Sequence, residues 1–257
     1  MLLQYTRKCH EMCTHCMVDA LPDGQTMSKE TLVAAVKYAN DSGARTLVVT
    51  GGEFTSTDTW YDDISYIIKN FSGVIILESN GSWVNSVVSA IRMRKILQLD
   101  NVVCLQISTH EKYYPNYKQT MAAKSNLERF SKKIYFCEGW QGNTTNIKCL
   151  GRAKNLNLNA TGNPGCSPMI SYARNFPEHT KTQEYLGAME FNKYMCKPMI
   201  SVEGNVHVGE TQYCTVVDSV HSPDIQGLYH RIRNLHFCDK CNTRKNVDAH
   251  VLKALGL

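Results

Sequence analysis

The chain has 257 residues, of which 43% are hydrophobic, 20% are charged and 11 are cysteine. That length accommodates one large α/β domain, or a main domain with a small appendage. The net charge of +5 is mildly basic, and no run of Lys and Arg suggests a nucleic-acid-binding arm. No apolar stretch approaches the roughly 18 residues of a membrane span, and the opening MLLQYTRKC is too short for a secretory signal. We therefore expect a cytoplasmic protein, whose cysteines stay reduced and bind metal rather than form disulfides.

Strands and helices alternate through the first half of the chain. The predicted strands lie near residues 2–6, 45–52, 73–81, 101–108 and 132–139. The predicted helices lie near residues 28–43, 58–71, 84–97 and 117–130, the first with Ser28 as N-cap and Gly43 as its stop. Continuous apolar runs are typical of a parallel sheet covered on both faces. Together with a further predicted strand near Ile147, these strands number too few for a closed barrel of eight β/α units. We predict an open, partial β/α barrel of about six parallel strands.

The pattern changes after about Leu156. A turn-rich break is followed by MISVEGNVHVGETQYC, which reads as a hairpin with EGN as its turn, and then by a short helix near residues 222–237. We predict a barrel core at residues 1–156, a connecting region at 157–195 and a small hairpin-plus-helix domain at 196–257.

Three cysteines follow the first strand at C-x3-C-x2-C spacing: Cys9, Cys13 and Cys16. They lie on the loop at the C-terminal end of that strand, where parallel α/β folds place their chemistry. Zinc would require a fourth ligand, which His10 or His15 could supply. A cubane iron–sulfur cluster held by three thiolates would instead keep one iron open for a group outside the protein.

The C-x3-C-x2-C motif in this position resembles the radical S-adenosylmethionine (SAM) superfamily. The resemblance implies a [4Fe–4S] cluster whose open iron is chelated by SAM, and reductive cleavage of SAM to a 5′-deoxyadenosyl radical that abstracts a substrate hydrogen. The segment VVTGGEF, which ends the second strand, is similar to the superfamily's GGE segment. Gly51, Gly52 and Glu53 are then expected at the SAM amino group, because glycine allows close backbone approach and a carboxylate can accept from an ammonium.

Other positions carry the resemblance further. Ser79 and Ser108 end the third and fourth strands, where the superfamily uses hydroxyl residues around the methionine and ribose of SAM. Arg152, in CLGRAKNL, is expected to hold the SAM carboxylate. His15 stands where the superfamily usually has an aromatic residue near the adenine, and Phe54 replaces the usual proline after the glutamate.

A second group of cysteines comprises Cys196, Cys214, Cys238 and Cys241. The first two flank the predicted hairpin, and the last two follow the predicted helix. From ligand count alone they could hold tetrahedral zinc or a fully ligated [4Fe–4S] cluster. Their arrangement resembles the twitch domain, a shortened SPASM domain, of radical SAM dehydrogenases such as the one of butirosin biosynthesis. The resemblance implies an auxiliary [4Fe–4S] cluster with four cysteine ligands.

Three residues are candidates for substrate contact or proton transfer. Cys137 and Glu138 lie near a strand end that faces the predicted cavity, and Glu111 follows the fourth strand. None of them belongs to a family motif, so the catalytic base stays unassigned.

A fully ligated auxiliary cluster can accept an electron, so the resemblance implies oxidation, or else rearrangement, of a small-molecule or nucleotide-like substrate. A peptide substrate is the alternative; peptide-modifying relatives often carry a separate leader-binding domain, and this chain begins at its first strand. A one-electron reductant such as flavodoxin or ferredoxin is implied as a partner. A non-enzymatic zinc-binding module is the alternative from a different functional class. That hypothesis does not explain the three-cysteine set or the GGE segment.

Overall fold

The computed structural model describes residues 1–109, 111–137, 151–156, 198–207, 209 and 211–226. The elements in these ranges are, in chain order, β1 (Leu2–Thr6), α1 (Lys29–Asp41), β2 (Thr46–Gly51), α2 (Trp60–Asn70), β3 (Val74–Ser79), α3 (Val87–Leu97), β4 (Val102–Ser108), α4 (Tyr117–Phe130), β5 (Ile134–Cys137), β6 (Met199–Ile200), β7 (Asn205–His207) and β8 (Val216–Ser219). Short 3₁₀ turns cover Phe54–Ser56, Ser82–Asn85 and Gly151–Leu156. Among the helices of these ranges, none is long and apolar enough to cross a bilayer.

The described strands form one sheet in the order β5-β4-β3-β2-β1-β6-β7-β8. Strands β1 to β5 pair in parallel, and β6 joins them in parallel on the far side of β1. Across the described strands the sheet stays open, with β5 and β8 at its edges, so the prediction of an open α/β barrel with about six parallel strands is confirmed. The predicted strand near Ile147 lies outside the described residues; within them, β6 is the sixth parallel strand.

The predicted C-terminal hairpin is formed by β6 and β7, and β8 extends it antiparallel. Gly204, with a φ of 85°, occupies its turn. Because β6 pairs with β1, the hairpin continues the core sheet. The boundaries at residues 156 and 196 stay a prediction, and most of the predicted C-terminal helix lies outside the described residues.

Helix α1 shows how local sequence sets an element. The Ser28 hydroxyl accepts from the Thr31 amide at 3.2 Å, which satisfies one of the unpaired amides of the first turn. Leu32 and Val36, one turn apart, are buried against the sheet. Gly43 follows the helix with a φ of 71°, a conformation that glycine adopts without steric cost. The predicted start and stop signals are therefore confirmed.

The two faces of the sheet differ. The outer face carries Leu3, Leu47 and Leu77 into the main hydrophobic core beneath the helices. Burial alternates along β3, where Leu77 is buried and its neighbours Ile76 and Glu78 are half-buried on the inner face. The outer face of β3 is therefore the more deeply buried one among the described residues, and Glu78 interrupts the apolar run on the inner face.

A buried polar network ties β1 to two helices. The Tyr5 hydroxyl donates to Asp63 Oδ2 at 2.7 Å, and the Thr59 hydroxyl donates to the same oxygen at 2.6 Å. Lys29 Nζ donates to Asp63 Oδ1 at 2.9 Å. Burial raises the pKa of Tyr5 to about 12. Burial also acts to raise the pKa of Asp63, but the bonds from Thr59, Tyr5 and Lys29 outweigh it and hold that pKa below its usual range.

We predict that Asp63→Asn lowers the free energy of unfolding by about 2 kcal/mol at neutral pH, because three donors lose a charged acceptor. The native pKa of Asp63 is the lower one, so its stabilisation is complete above the unfolded pKa of about 3.9 and is lost as the pH falls through the native value. Urea unfolding at neutral and acidic pH measures both effects. The exposed neighbour provides the control: equal stability of Asp63→Asn and Asp62→Asn at neutral pH would contradict the network's role.

Candidate active site

The three N-terminal cysteines lie on the cysteine loop (residues 9–16), directly after β1. The Cys9 amide donates to the Leu21 carbonyl at 2.8 Å, and the Leu21 amide donates to the Arg7 carbonyl at 3.0 Å. These bonds hold the start of the loop beside Leu21, which follows the loop in the chain. Met12 has a φ of 49°, so the loop turns sharply between its first two cysteines.

Cys9 and Cys13 are buried, and Cys16 is half-buried. Burial is the main cause that raises the pKa of Cys9 to about 11 and that of Cys13 to about 12. Negative charge nearby contributes less, from Glu53 and Cys16 for Cys9 and from Cys9 and Cys16 for Cys13. Within the described part of the chain, no three His, Cys, Asp or Glu side chains converge on a point the size of one metal ion. A cubane does not need such a point, because each thiolate binds a different iron.

Two amides donate to the sulfurs of this loop. Asn80 Nδ2 lies 3.6 Å from Cys9 Sγ, and the Ala20 amide lies 3.3 Å from Cys16 Sγ. Asn80 also accepts from the Ser82 amide at 2.8 Å, so its side chain is fixed. Hydrogen bonds to sulfur are one of the means by which a protein sets the potential of an iron–sulfur cluster.

The Gly-Gly-Glu segment joins the end of β2 to the start of the cysteine loop. The Gly52 amide donates to the Thr6 carbonyl at 2.6 Å, and the Glu53 amide donates to the Lys8 carbonyl at 2.8 Å. A Cβ at Gly51 would overlap the carbonyl of Thr6, and one at Gly52 would overlap that of Lys8. The close approach that these glycines permit is therefore to the chain's own backbone.

Glu53 is fully buried, and its carboxylate joins the ends of β2 and β3. Oε1 accepts from the Thr55 amide at 3.2 Å and the Thr55 hydroxyl at 2.7 Å. Oε2 accepts from the Ser79 hydroxyl at 2.9 Å and the Asn80 amide at 2.7 Å. Burial raises the pKa of Glu53, although these four hydrogen bonds act to lower it. The structure thus brings together Glu53 and Ser79, which sequence reasoning had placed separately around SAM.

Arg152 reaches the cysteine loop from the 3₁₀ turn Gly151–Leu156. Its Nε donates to the Cys13 carbonyl at 3.1 Å, and the Ala153 amide donates to the Cys16 carbonyl at 3.4 Å. Arg152 Nη1 is buried and makes no hydrogen bond with the described residues. A buried guanidinium nitrogen in this state fits an anionic partner such as a carboxylate.

Aromatic rings line the other side of the loop. The His15 ring lies 5.0 Å from the ring of Tyr113 and 4.7 Å from that of Tyr114, between ring centroids. Burial raises the pKa of the Tyr114 hydroxyl, which is hydrogen-bonded to Ser108 and close to Cys13. Sequence reasoning selected His15 and Ser108 but missed Tyr114, because no motif marks it and only the fold brings it to the loop.

The predicted catalytic candidates are dispersed. Glu111 is exposed beside an open cleft of about 480 Å³, which also includes Met12 and Cys13. Cys137 is half-buried on the inner face of β5, and Glu138 lies outside the described residues. Glu78 belongs to no sequence motif. It lies on the inner face of β3, and its charge, after burial, raises the pKa of the Cys137 thiol.

Of the second cysteine group, Cys214 is described and buried. Its preceding residues contact the chain just after the cysteine loop: the Tyr213 hydroxyl donates to Asp19 at 2.6 Å, and Gln212 Nε2 donates to the Val18 carbonyl at 3.0 Å. Cys196, Cys238 and Cys241 lie outside the described residues.

A family model described as the radical SAM superfamily matches residues 3–133, half of the chain. The chain belongs to this superfamily, and the resemblance inferred from the cysteine and Gly-Gly-Glu motifs is confirmed. Membership implies SAM and a [4Fe–4S] cluster as cofactors. The clustered thiols of Cys9, Cys13 and Cys16 and the buried nitrogen of Arg152 fit these groups.

Similar folds occur among solved radical SAM enzymes, each at 11% sequence identity. BtrN in complex with AdoMet and 2-DOIA has a TM-score of 0.60, with 96% of this chain and 92% of that chain covered. anSMEcpe with AdoMet and the Cp18Cys peptide has a TM-score of 0.55, covering 98% and 85%. Streptococcus suis SuiB bound to the precursor peptide SuiA has a TM-score of 0.50, covering 98% and 72%. No curated protein matches the chain.

We predict that Asn80→Ala shifts the midpoint potential of the cluster proposed for the cysteine loop to more negative values. The expected shift is on the order of tens of millivolts, because one hydrogen bond is lost. The N–H···S bond favours the reduced cluster, which carries more negative charge. Redox titration followed by EPR measures the shift, with the exposed Asn85→Ala as the control. Equal midpoints at equal iron content would contradict a contact between Asn80 and the cluster.

Proposed function

We propose that this radical SAM protein is an oxidoreductase that binds its [4Fe–4S] cluster through Cys9, Cys13 and Cys16. The observation that carries the proposal is the attachment of the cysteine loop to the Gly-Gly-Glu segment, which brings three thiols and a buried carboxylate to one edge of the sheet. When bound, the cluster and SAM supply a 5′-deoxyadenosyl radical that abstracts a hydrogen atom from the substrate. The chain itself supplies binding, orientation and exclusion of water.

Several residues are suited to hold SAM. Two of the four bonds to Glu53 come from the hydroxyls of Thr55 and Ser79, which can rotate to other acceptors and leave room for an ammonium. Arg152 has a buried N–H to donate to a carboxylate. The His15 ring, held by two tyrosine rings, provides an aromatic surface for adenine.

The other predicted SAM residues act through their neighbours in this proposal. Ser108 orients the Tyr114 hydroxyl close to the cysteine loop. Gly51 and Gly52 keep the end of β2 against the residues that lead into that loop.

We further propose that Cys196, Cys214, Cys238 and Cys241 hold an auxiliary [4Fe–4S] cluster in a twitch-type domain at residues 196–257. The side-chain contacts of the segment before Cys214 with Val18 and Asp19, just after the cysteine loop, support an auxiliary site on that side of the molecule. A cluster with four protein ligands binds no substrate, which suits it to accept one electron from a substrate radical. This feature favours oxidation over rearrangement.

For the substrate, we propose a small polar molecule first and a peptide second. Of the similar structures, BtrN contains 2-DOIA and is matched over 92% of its chain, whereas anSMEcpe and SuiB contain peptides and are matched over 85% and 72%. Flavodoxin or ferredoxin is the proposed source of the electron that reduces the first cluster.

Anaerobic reconstitution with iron and sulfide tests the proposal. We predict a brown protein with about eight irons per chain, four for each cluster. Replacement of Cys9, Cys13 and Cys16 with alanine should leave about four irons and abolish the formation of 5′-deoxyadenosine from SAM by the dithionite-reduced protein.

Cys104→Ala, in a strand away from both cysteine groups, should keep the full iron content and SAM cleavage. Persistent cleavage in the triple variant would refute the assignment of the cysteine loop. A colourless wild type with stoichiometric zinc would instead support the zinc-binding alternative.

A further inference from the structure

Besides Asn80, a backbone amide of the cysteine loop donates to the sulfur of Cys9. Asn80 Nδ2 lies 3.6 Å from Cys9 Sγ. The backbone amide of Glu11 is hydrogen-bonded to the same sulfur and acts to lower the pKa of the thiol, although burial outweighs this effect. Both donors favour negative charge on the sulfur, which is the state in which cysteine binds a metal. Two separate segments, the cysteine loop and the end of β3, thus each supply a donor to Cys9.

Asn116, the residue that precedes α4, contacts both of these segments. Its Nδ2 donates to the Asn80 carbonyl at 2.8 Å. Its backbone amide is hydrogen-bonded to the Glu11 carboxylate. Asn116 and Asn80 are both buried. One buried residue therefore connects the two segments whose donors meet at Cys9.

The side chain of Asn116 does not serve the helix that follows it. Asparagine at this position usually caps the first turn by accepting from a backbone amide. Asn116 makes no such bond, and its Oδ1 is buried without a hydrogen-bond partner among the described residues. Both features cost stability, because the helix loses a cap and a buried acceptor stays unsatisfied. This cost indicates that the side chain serves the site rather than α4.

Glu11 is the only acidic residue of the cysteine loop. Its charge opposes the addition of an electron to a cluster beside it, because like charges repel. The start of α4 compensates this carboxylate, since the N-terminal end of a helix favours negative charge. The bond to Asn116 also fixes the Glu11 residue whose amide donates to Cys9.

We propose that Asn116 is a positioning residue for the cluster on the cysteine loop. Through Glu11 and Asn80 it fixes both hydrogen-bond donors to the Cys9 sulfur, and this raises the midpoint potential of the cluster. Hydrogen bonds to sulfur favour the reduced cluster, because it carries more negative charge. The inference rests on the proposed function, since it requires the [4Fe–4S] cluster at Cys9.

Asn116→Ser tests the role of the side chain. Serine is as good a capping residue as asparagine, so the start of α4 is preserved, but the Nδ2 donor to Asn80 is lost. The expected result is a more negative midpoint potential, a shift of the same sign as that of Asn80→Ala. Redox titration followed by EPR measures it on the signal that SAM alters. Asn126→Ser, the same change at an exposed position of α4, should keep the wild-type midpoint. Equal midpoints in Asn116→Ser and wild type, at equal iron content, would overturn the proposal.

A double variant tests whether Asn116 acts through Asn80. In protein that carries Asn80→Ala, the further change Asn116→Ser should leave the midpoint where it is, because the donor that it positions is already absent. Two shifts that simply add would show that the residues act independently, and would overturn this route.

Glu11 provides a comparison that stands even if Asn116→Ser folds poorly. Glu11→Gln and Glu11→Ala both remove the charge, but only glutamine keeps an oxygen that can accept from the Asn116 amide. The midpoint of Glu11→Ala should therefore be the more negative of the two, and equal midpoints would overturn the proposal. Iron content and SAM cleavage are measured on the same samples. A wild type without a SAM-responsive cluster refutes the proposed function, whereas unchanged midpoints in variants that retain this cluster refute the present inference alone.

Discussion

The contact between the ends of β1 and β2 is the constraint on which the site depends. Gly52 and Glu53 continue the parallel pairing into the residues that lead to the cysteine loop, and only glycine fits at positions 51 and 52 because the opposing carbonyls are so close. Once the two strand ends are joined, the Glu53 side chain is buried with them, and its four hydrogen bonds extend the connection to β3. The Asn80 side chain then reaches back to Cys9. Three strand ends thus form one rigid support for the thiols.

The inner face of the sheet adds a second level to this support. Leu2, Val48 and Met199 lie deepest. Polar side chains such as Thr50 and Glu78 lie closer to the strand ends, and the cysteine loop stands at that edge. This order matches the needs of radical chemistry, in which the protein must bind a substrate close to the radical source and keep water out. Tyr114 and Arg152 approach the loop from two further segments, so the site draws on much of the described chain.

The sequence predicted the features that are local in the chain. The cysteine spacing and the Gly-Gly-Glu segment lie within short stretches, as do the cap and stop of α1, and α4 spans the residues predicted for it. The structure adds what depends on register. Glu78 reads as one more residue of an apolar strand until its pairing with Gln106 places it beside a second polar residue. The attachment of the hairpin to β1 could not be read from either segment alone, because strand pairing across 190 or more residues leaves no local pattern.

The central claim is that three cysteines on a loop fixed to the Gly-Gly-Glu segment leave one iron for SAM. The most direct measurement is the EPR spectrum of the dithionite-reduced Cys214→Ala protein, in which the proposed auxiliary cluster is removed, with and without SAM. The account predicts that saturating SAM changes the g-values of the remaining cluster, because the ligand binds iron directly. An unchanged spectrum from protein that retains about four irons per chain would contradict the account.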